Sequence, residues 1–293
     1  MQAQNTVFRT LAYFSYFSYP LTAFELWKWQ YKPEEVLSYD KVLEGLERLD
    51  GVSRFRGIYA LGSHAEVREQ VLERHRRYRN AIMKERKLRK VLRYLARVRD
   101  IEGVAICNSL PFHFTEPRSD IDLFVVARPG RVSAARFACV APLATLRQRP
   151  GEAKVDPVDT SFFVTSDAMQ LENICLEGND PYMAYWVKTL TPVLGKDALW
   201  DTFFQENAWA DAVLPNAQSP KRAYAVRQKS GRKKFVAFPN SMSRRVQERK
   251  FSEDVLDMMN TGSQVVVSDS MLKFHKNDRR EAIRSHLEQL CKN

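Results

Sequence analysis

The chain has 293 residues, of which 44% are hydrophobic and 28% charged, with a net charge of +11. That length suits about two domains of roughly 150 residues, and the composition is ordinary for a globular protein and excludes wholesale disorder. No apolar run reaches the roughly 18–20 residues of a membrane span. The N-terminus carries no signal-peptide pattern, and Cys107, Cys139, Cys175 and Cys291 form no Cys-x-x-Cys pair, so the expected setting is a reducing cytoplasm with no membrane partner.

Residues 1–63 read as one small module. In NTVFRTLAYFSYF, Asn5 or Thr6 is the candidate N-cap of a first helix, with Val7, Phe8, Leu11, Ala12 and Phe14 at helical spacing. Pro20 breaks it. Thr22 and Glu25 form a capping-box pattern at the start of TAFELWKW. Ser38 opens a third helix, SYDKVLEGLERL, with one apolar stripe, and VSRFRGIYAL alternates as a two-stranded ribbon. Three short helices and a ribbon are the pattern of a winged helix-turn-helix, with Arg54 and Arg56 on the wing suited to phosphates. The candidate recognition helix, however, carries Asp40, Glu44 and Glu47 against Lys41 and Arg48, which is poor for DNA, and winged helices also serve as protein–protein modules.

Residues 64–100 form a basic helical connector without Gly or Pro, holding 13 Lys/Arg against 5 Asp/Glu. Val91, Leu92, Leu95 and Val98 give it an apolar face near its end. The cations point to a polyanionic partner, or to a solvated face.

Residues 101–214 carry the chemistry. VAIC reads as a buried strand, NSLPFHFTEPRS as a loop, and DIDLFVVA as a second strand. Residues i and i+2 of a strand point the same way, so Asp120 and Asp122 project side by side. Two carboxylates this close repel one another, and a divalent cation is the usual solution. Ser109, in the turn before them, can present its hydroxyl and N–H to a phosphate. Carboxylates holding Mg²⁺ beside a phosphate cradle are what nucleotidyl transfer needs.

The pattern of an apolar strand, Asn108-Ser109, and then Ser119-Asp120-Ile121-Asp122-Leu123 opening a hydrophobic strand resembles the DNA polymerase β-like nucleotidyltransferase superfamily. The signature there is Gly-Ser followed by Asp-x-Asp or Asp-x-Glu. The stretches LAYFSYFSYPLTAFELWKW, DPYMAYWVKTL and MLKFHKNDRR extend the likeness to a bacterial protein with a nucleotidyltransferase domain behind a winged helix. The resemblance implies transfer of an NMP from an NTP to an acceptor hydroxyl, with Mg²⁺ or Mn²⁺ held by Asp120 and Asp122. Asn108 departs from the signature: glycine lets the backbone come close to phosphates, whereas Asn adds a side chain, although it tolerates left-handed dihedrals. The resemblance also implies a third carboxylate on a later strand. In KVDPVDTSFFVT that is Asp159, within the strand, or Asp156, before Pro157.

Arg118 is a candidate partner for Asp120 or a triphosphate, and His113 for a phosphate or base. RVSAARFACVAPLATL reads as a helix on the sheet with Cys139 in the core. DPYMAYWVKTLTPVLG reads as another helix, capped by Asp180, whose Tyr182, Tyr185 and Trp186 are base-stacking or core residues. Residues 215–293 form a basic segment and a helical C-terminal region. Within it, residues 218–250 hold 11 Lys/Arg against 1 Glu. FSEDVLDMMN reads as a helix with Ser252 at its N-cap, and QVVV as a β-branched run before a turn and a last helix. KFHKNDRR concentrates Lys273, His275, Lys276, Asp278, Arg279 and Arg280, and offers Lys273 and His275 to a nucleotide site. The fold class is α+β. The competing expectation is a catalytically silent DNA-binding or adaptor protein that uses the same scaffold, with nucleic acid on its winged helix and basic segments.

Overall fold

The computed structural model describes residues 2–220, 235 and 238–292. The chain opens with α1 (Gln2–Ser15), β1 (Leu21–Thr22), α2 (Ala23–Lys28), α3 (Tyr39–Glu47), β2 (Val52–Phe55) and β3 (Ile58–Leu61). Asn5 and Thr6 lie inside α1 rather than at its cap, because the helix already begins at Gln2. The capping box of α2 forms as its sequence dictates: the Thr22 hydroxyl accepts from the Glu25 N–H at 3.2 Å, and the Thr22 N–H donates to the Glu25 carboxylate at 2.8 Å. The ribbon turns through Arg56 and Gly57, with φ of 51° and 76°. A two-residue hairpin that matches strand twist requires this left-handed pair. The ribbon has a third strand, since β1 pairs with β3 to give the order β1-β3-β2.

α4 (His64–Leu95) follows, capped by Ser63 and Glu66. It leads into β4 (Ile101–Ile106), β5 (Ile121–Ala127), α5 (Val132–Thr145), β6 (Val158–Thr165) and a 3₁₀ turn (Glu172–Ile174). Next come α6 (Pro181–Thr189), β7 (Thr191–Leu194), α7 (Asp197–Glu206) and α8 (Trp209–Val213). The last described elements are α9 (Asn240–Glu248), α10 (Glu253–Met258), β8 (Val265–Val267), β9 (Met271–Phe274) and α11 (Arg280–Lys292). The architecture is mixed α and β, with a six-stranded sheet of order β7-β4-β5-β6-β9-β8 beside the small sheet. Strands β5 and β6 are parallel and joined through α5; the other pairings are antiparallel.

Two strands differ from expectation. TPVL is β7, not the end of a helix: Pro192 cannot donate to a ladder, and β7 is an edge strand where that is tolerated. MLKF is β9, which pairs with the β-branched run as a hairpin.

The strand period of two divides the core. Val104, Ile106, Leu123, Val125 and Leu272 face α5 and the apolar side of α4, at Leu88, Leu92 and Leu95. Ala105, Phe124, Val126, Phe162 and Met271 face α6, at Met183 and Trp186, and Phe203 of α7. A third cluster ties the first 63 residues to the rest: Tyr13, Phe14, Tyr19 and Trp29 pack with Tyr185 of α6 and with Ile283 and Leu287 of α11. Among the described residues no helix is long and apolar enough to cross a membrane. In the basic 218–250 block, residues 221–234, 236 and 237, which include KSGRKK, lie outside the described residues.

Candidate metal centre and cleft

β4 runs antiparallel to β5, so the loop leaving β4 arrives beside the start of β5, and the Cys107 N–H donates to the Asp122 carbonyl at 3.2 Å. β6 runs parallel to β5 with Asp159 in register with Asp122. The start of β5 and of β6 therefore bring three carboxylates together. Asp120, Asp122 and Asp159 each offer an oxygen within 4.8 Å of the others. Between the two candidates for the third acid, the geometry separates their roles. Asp159 completes the trio. Asp156 sits in a left-handed turn with φ of 47° and pairs with the Lys84 ammonium at 2.5 Å.

The trio is strained electrostatically. Burial pushes the Asp122 carboxyl up to about 8, and the neighbouring Asp159 and Asp120 push the same way. Burial also raises Asp120 and Asp159. Lys84 counteracts the rise at Asp120 and Asp122 without cancelling it. Three oxygen donors this close, still short of positive charge, are a donor set for a hard divalent cation.

Asn108 is placed in a way that answers its departure from glycine. Its φ of 60° is the left-handed conformation that glycine would supply. Its side-chain carbonyl accepts from the Tyr182 hydroxyl at 3.1 Å and the Trp186 indole at 3.0 Å. Its amide supports the ionised form of Asp122. The side chain is thus spent on the protein's own groups. Tyr182 and Trp186 hold Asn108, and Tyr185 is a buried core residue.

A cleft of about 560 Å³ opens beside two of the three acids, lined by Asp120, Asp159, Asn108, Ser109, Lys273 and His275 among others. Among the described residues the Ser109 hydroxyl and N–H form no hydrogen bond with another protein group. KFHKNDRR therefore does fold back to the acidic site. Lys273 is almost fully buried, donates to the Ser263 carbonyl, and is lowered to about 8 by burial and by Arg280. His275 packs edge-on against Phe162 and is held neutral, with burial and Lys273 lowering it to about 3. Arg280 is braced by Asp278 and Asp180 at 2.6 and 3.1 Å.

Three expected site residues lie elsewhere. Arg118 is exposed and does not line the cleft. Ser119 closes its own turn, accepting from the Glu116 N–H at 2.9 Å, and its carbonyl accepts from Lys84 at 2.8 Å. His113 packs against Tyr78 outside the cleft. The residues that sequence reasoning missed are Lys84 and the aromatic wall of Phe14, Phe17, Tyr19, Phe112 and Phe114. The density of rings in LAYFSYFSYP was the available signal for part of that wall. Comparison with known proteins gives no match: no family model, no curated protein and no solved structure aligns with this chain.

Proposed function

We propose that the chain is a metal-dependent nucleotidyltransferase of the polymerase β-like kind, with a winged helix at its N-terminus. The observation that carries this reading is the carboxylate trio at the start of two adjacent parallel strands, with Ser109 lining the cleft that Asp120 and Asp159 also line. The winged-helix assignment is supported by the element order and by the sheet order β1-β3-β2. Asp120, Asp122 and Asp159 would hold Mg²⁺ or Mn²⁺. Bound there, the cation supplies positive charge against the phosphate oxygens.

The chain's own groups do the remaining work. The hydroxyl and N–H of Ser109 hold an oxygen of the triphosphate. Asp159, its affinity for protons raised by burial, accepts the proton of the acceptor hydroxyl. The acceptor oxygen bonds to the α-phosphorus, the bond to the bridging oxygen breaks, and pyrophosphate leaves. The test is incubation with each α-labelled NTP, Mg²⁺ and cell extract. The wild type should transfer label to an acceptor, and Asp122→Asn with Asp159→Asn should cut transfer at least about 100-fold. Equal labelling by both proteins would sink the reading.

One observation favours a second reading, a catalytically silent adaptor: the Asn108 amide supports Asp122 as a cation would. Titration with Mn²⁺ separates the two, since a silent scaffold takes up no metal at the trio.

A further inference from the structure

On α4, Arg76, Arg79, Met83, Arg86, Lys90 and Arg93 recur at alternating steps of three and four, and all are exposed. Such steps place them on one line along a helix. The line spans about 25 Å at 1.5 Å per residue. The only acid of α4 within those bounds is Glu85, which is half-buried off that line. Arg76 pairs with Glu73 at 2.7 Å, and the Arg93 Nε donates to the Arg89 carbonyl. Arg79, Arg86 and Lys90 form no ion pair among the described residues. The opposite face of the helix, with Ala81, Leu88, Leu92 and Leu95, is buried against the sheet.

We propose that this outer face of α4 binds the phosphate backbone of a nucleic acid. A single-sign row of cations on a rigid rod complements a row of phosphates and carries little else of the same shape. A membrane surface fits worse. An interfacial helix needs a separate apolar face to insert, and here the main apolar face is spent on the core, while the exposed Leu72, Tyr78, Ile82 and Met83 are interspersed with cations and Tyr78 packs against His113. The groove-reading helix of a winged helix fits worse as well, since α3 exposes Asp40, Glu44 and Glu47. The row is independent of the proposed transfer reaction.

The experiment is fluorescence anisotropy of the full chain with a short labelled DNA duplex and, in a parallel arm, a single-stranded RNA. Five phosphate contacts imply a slope of about −4.5 in log affinity against log salt, or a loss of roughly 500-fold between about 50 and 200 mM. Arg79→Glu with Arg86→Glu and Lys90→Glu should weaken binding by at least about 100-fold. The matching Gln variants should reduce the slope by about 3. All three sites are exposed, so the far-UV circular dichroism and melting temperature stay unchanged. The arm that binds more tightly identifies the polymer. The proposal is overturned if the variants bind as the wild type does, or if only Arg54→Glu with Arg56→Glu on the wing weakens binding. It is equally overturned if anionic phospholipid vesicles bind while both polymers do not.

Discussion

Asp122 sets the pH behaviour of the site. Its proton is held up to about 8 in the folded chain, against 3.8 for a free carboxylate. The folded state therefore binds more protons than the unfolded state between those values, and stability falls as pH rises through that window. Below the free value the effect is absent; above about 8 the loss is complete. Divalent cation compensates the ionised trio, so Mg²⁺ should raise the melting temperature most at the alkaline end. Asp122→Asn should flatten the metal-free pH dependence and remove most of the Mg²⁺ response. Melting curves at several pH values, with Mg²⁺ or with EDTA, check both points. A metal-free protein whose stability rises from pH 5 to 8 would contradict the assignment. Asn108 belongs to the same account, because its amide partly offsets the cost of ionising Asp122 while its carbonyl satisfies two aromatic donors.

At the scale of elements, α4 couples the two loops that feed the trio. The Lys84 ammonium, whose side chain has 0% exposure, donates to Asp156 ahead of β6 and to the Ser119 carbonyl ahead of β5. Removing one partner of a buried pair typically costs about 3–5 kcal/mol, and Asp156 retains some water, so Lys84→Met should fall near the lower end. The same change removes a positive charge that favours ionised Asp120 and Asp122, so the upper end of the pH window described for Asp122 should move upward. Urea unfolding across pH reads both effects, and a purely structural role would leave the window in place. Lys84 also shows where the sequence was opaque. In KERKLRK it looks like any other cation, because burial depends on the sheet that α4 meets and not on local pattern. The two-residue β1 is too short to show alternation, and β7 carries a proline that argues against a strand until its edge position is known. By contrast, the caps at Thr22, Ser38 and Asp180 are local, and each makes its side-chain bond as the pattern predicts, whereas Ser252 sits at the N-cap of α10 without a side-chain capping bond. Asp120 and Asp122 were legible for a related reason, since two-residue spacing at the opening of a strand sets them side by side, Asp120 just ahead of β5 and Asp122 within it. Asp159 needed the parallel pairing of β5 and β6, which no local pattern specifies.

At the scale of the whole molecule, the cleft belongs to both ends of the chain. Phe14, Phe17 and Tyr19 reach it from the N-terminal module, and Lys273 and His275 from the C-terminal hairpin. Tyr185 is the pin between them. It is 1% exposed, stacks on Tyr13 with centroids 3.9 Å apart, and its hydroxyl donates to the Trp29 carbonyl at 2.9 Å. Truncating a buried aromatic residue costs about 3–5 kcal/mol, and here the loss falls on a core shared by α1, α6 and α11. A shared core predicts that the module and the sheet unfold together. Hydrogen exchange in α3 and in β5 should then respond by the same amount to Tyr185→Ala, and urea unfolding should remain one transition at a lower midpoint. If the N-terminal module were an independent unit on a linker, the substitution would accelerate exchange in α1 to β3 and leave β5 untouched. The common hydrophobic cluster makes joint unfolding the expected result, and it means that a wall of the cleft cannot be loosened without weakening the fold that aligns the carboxylates.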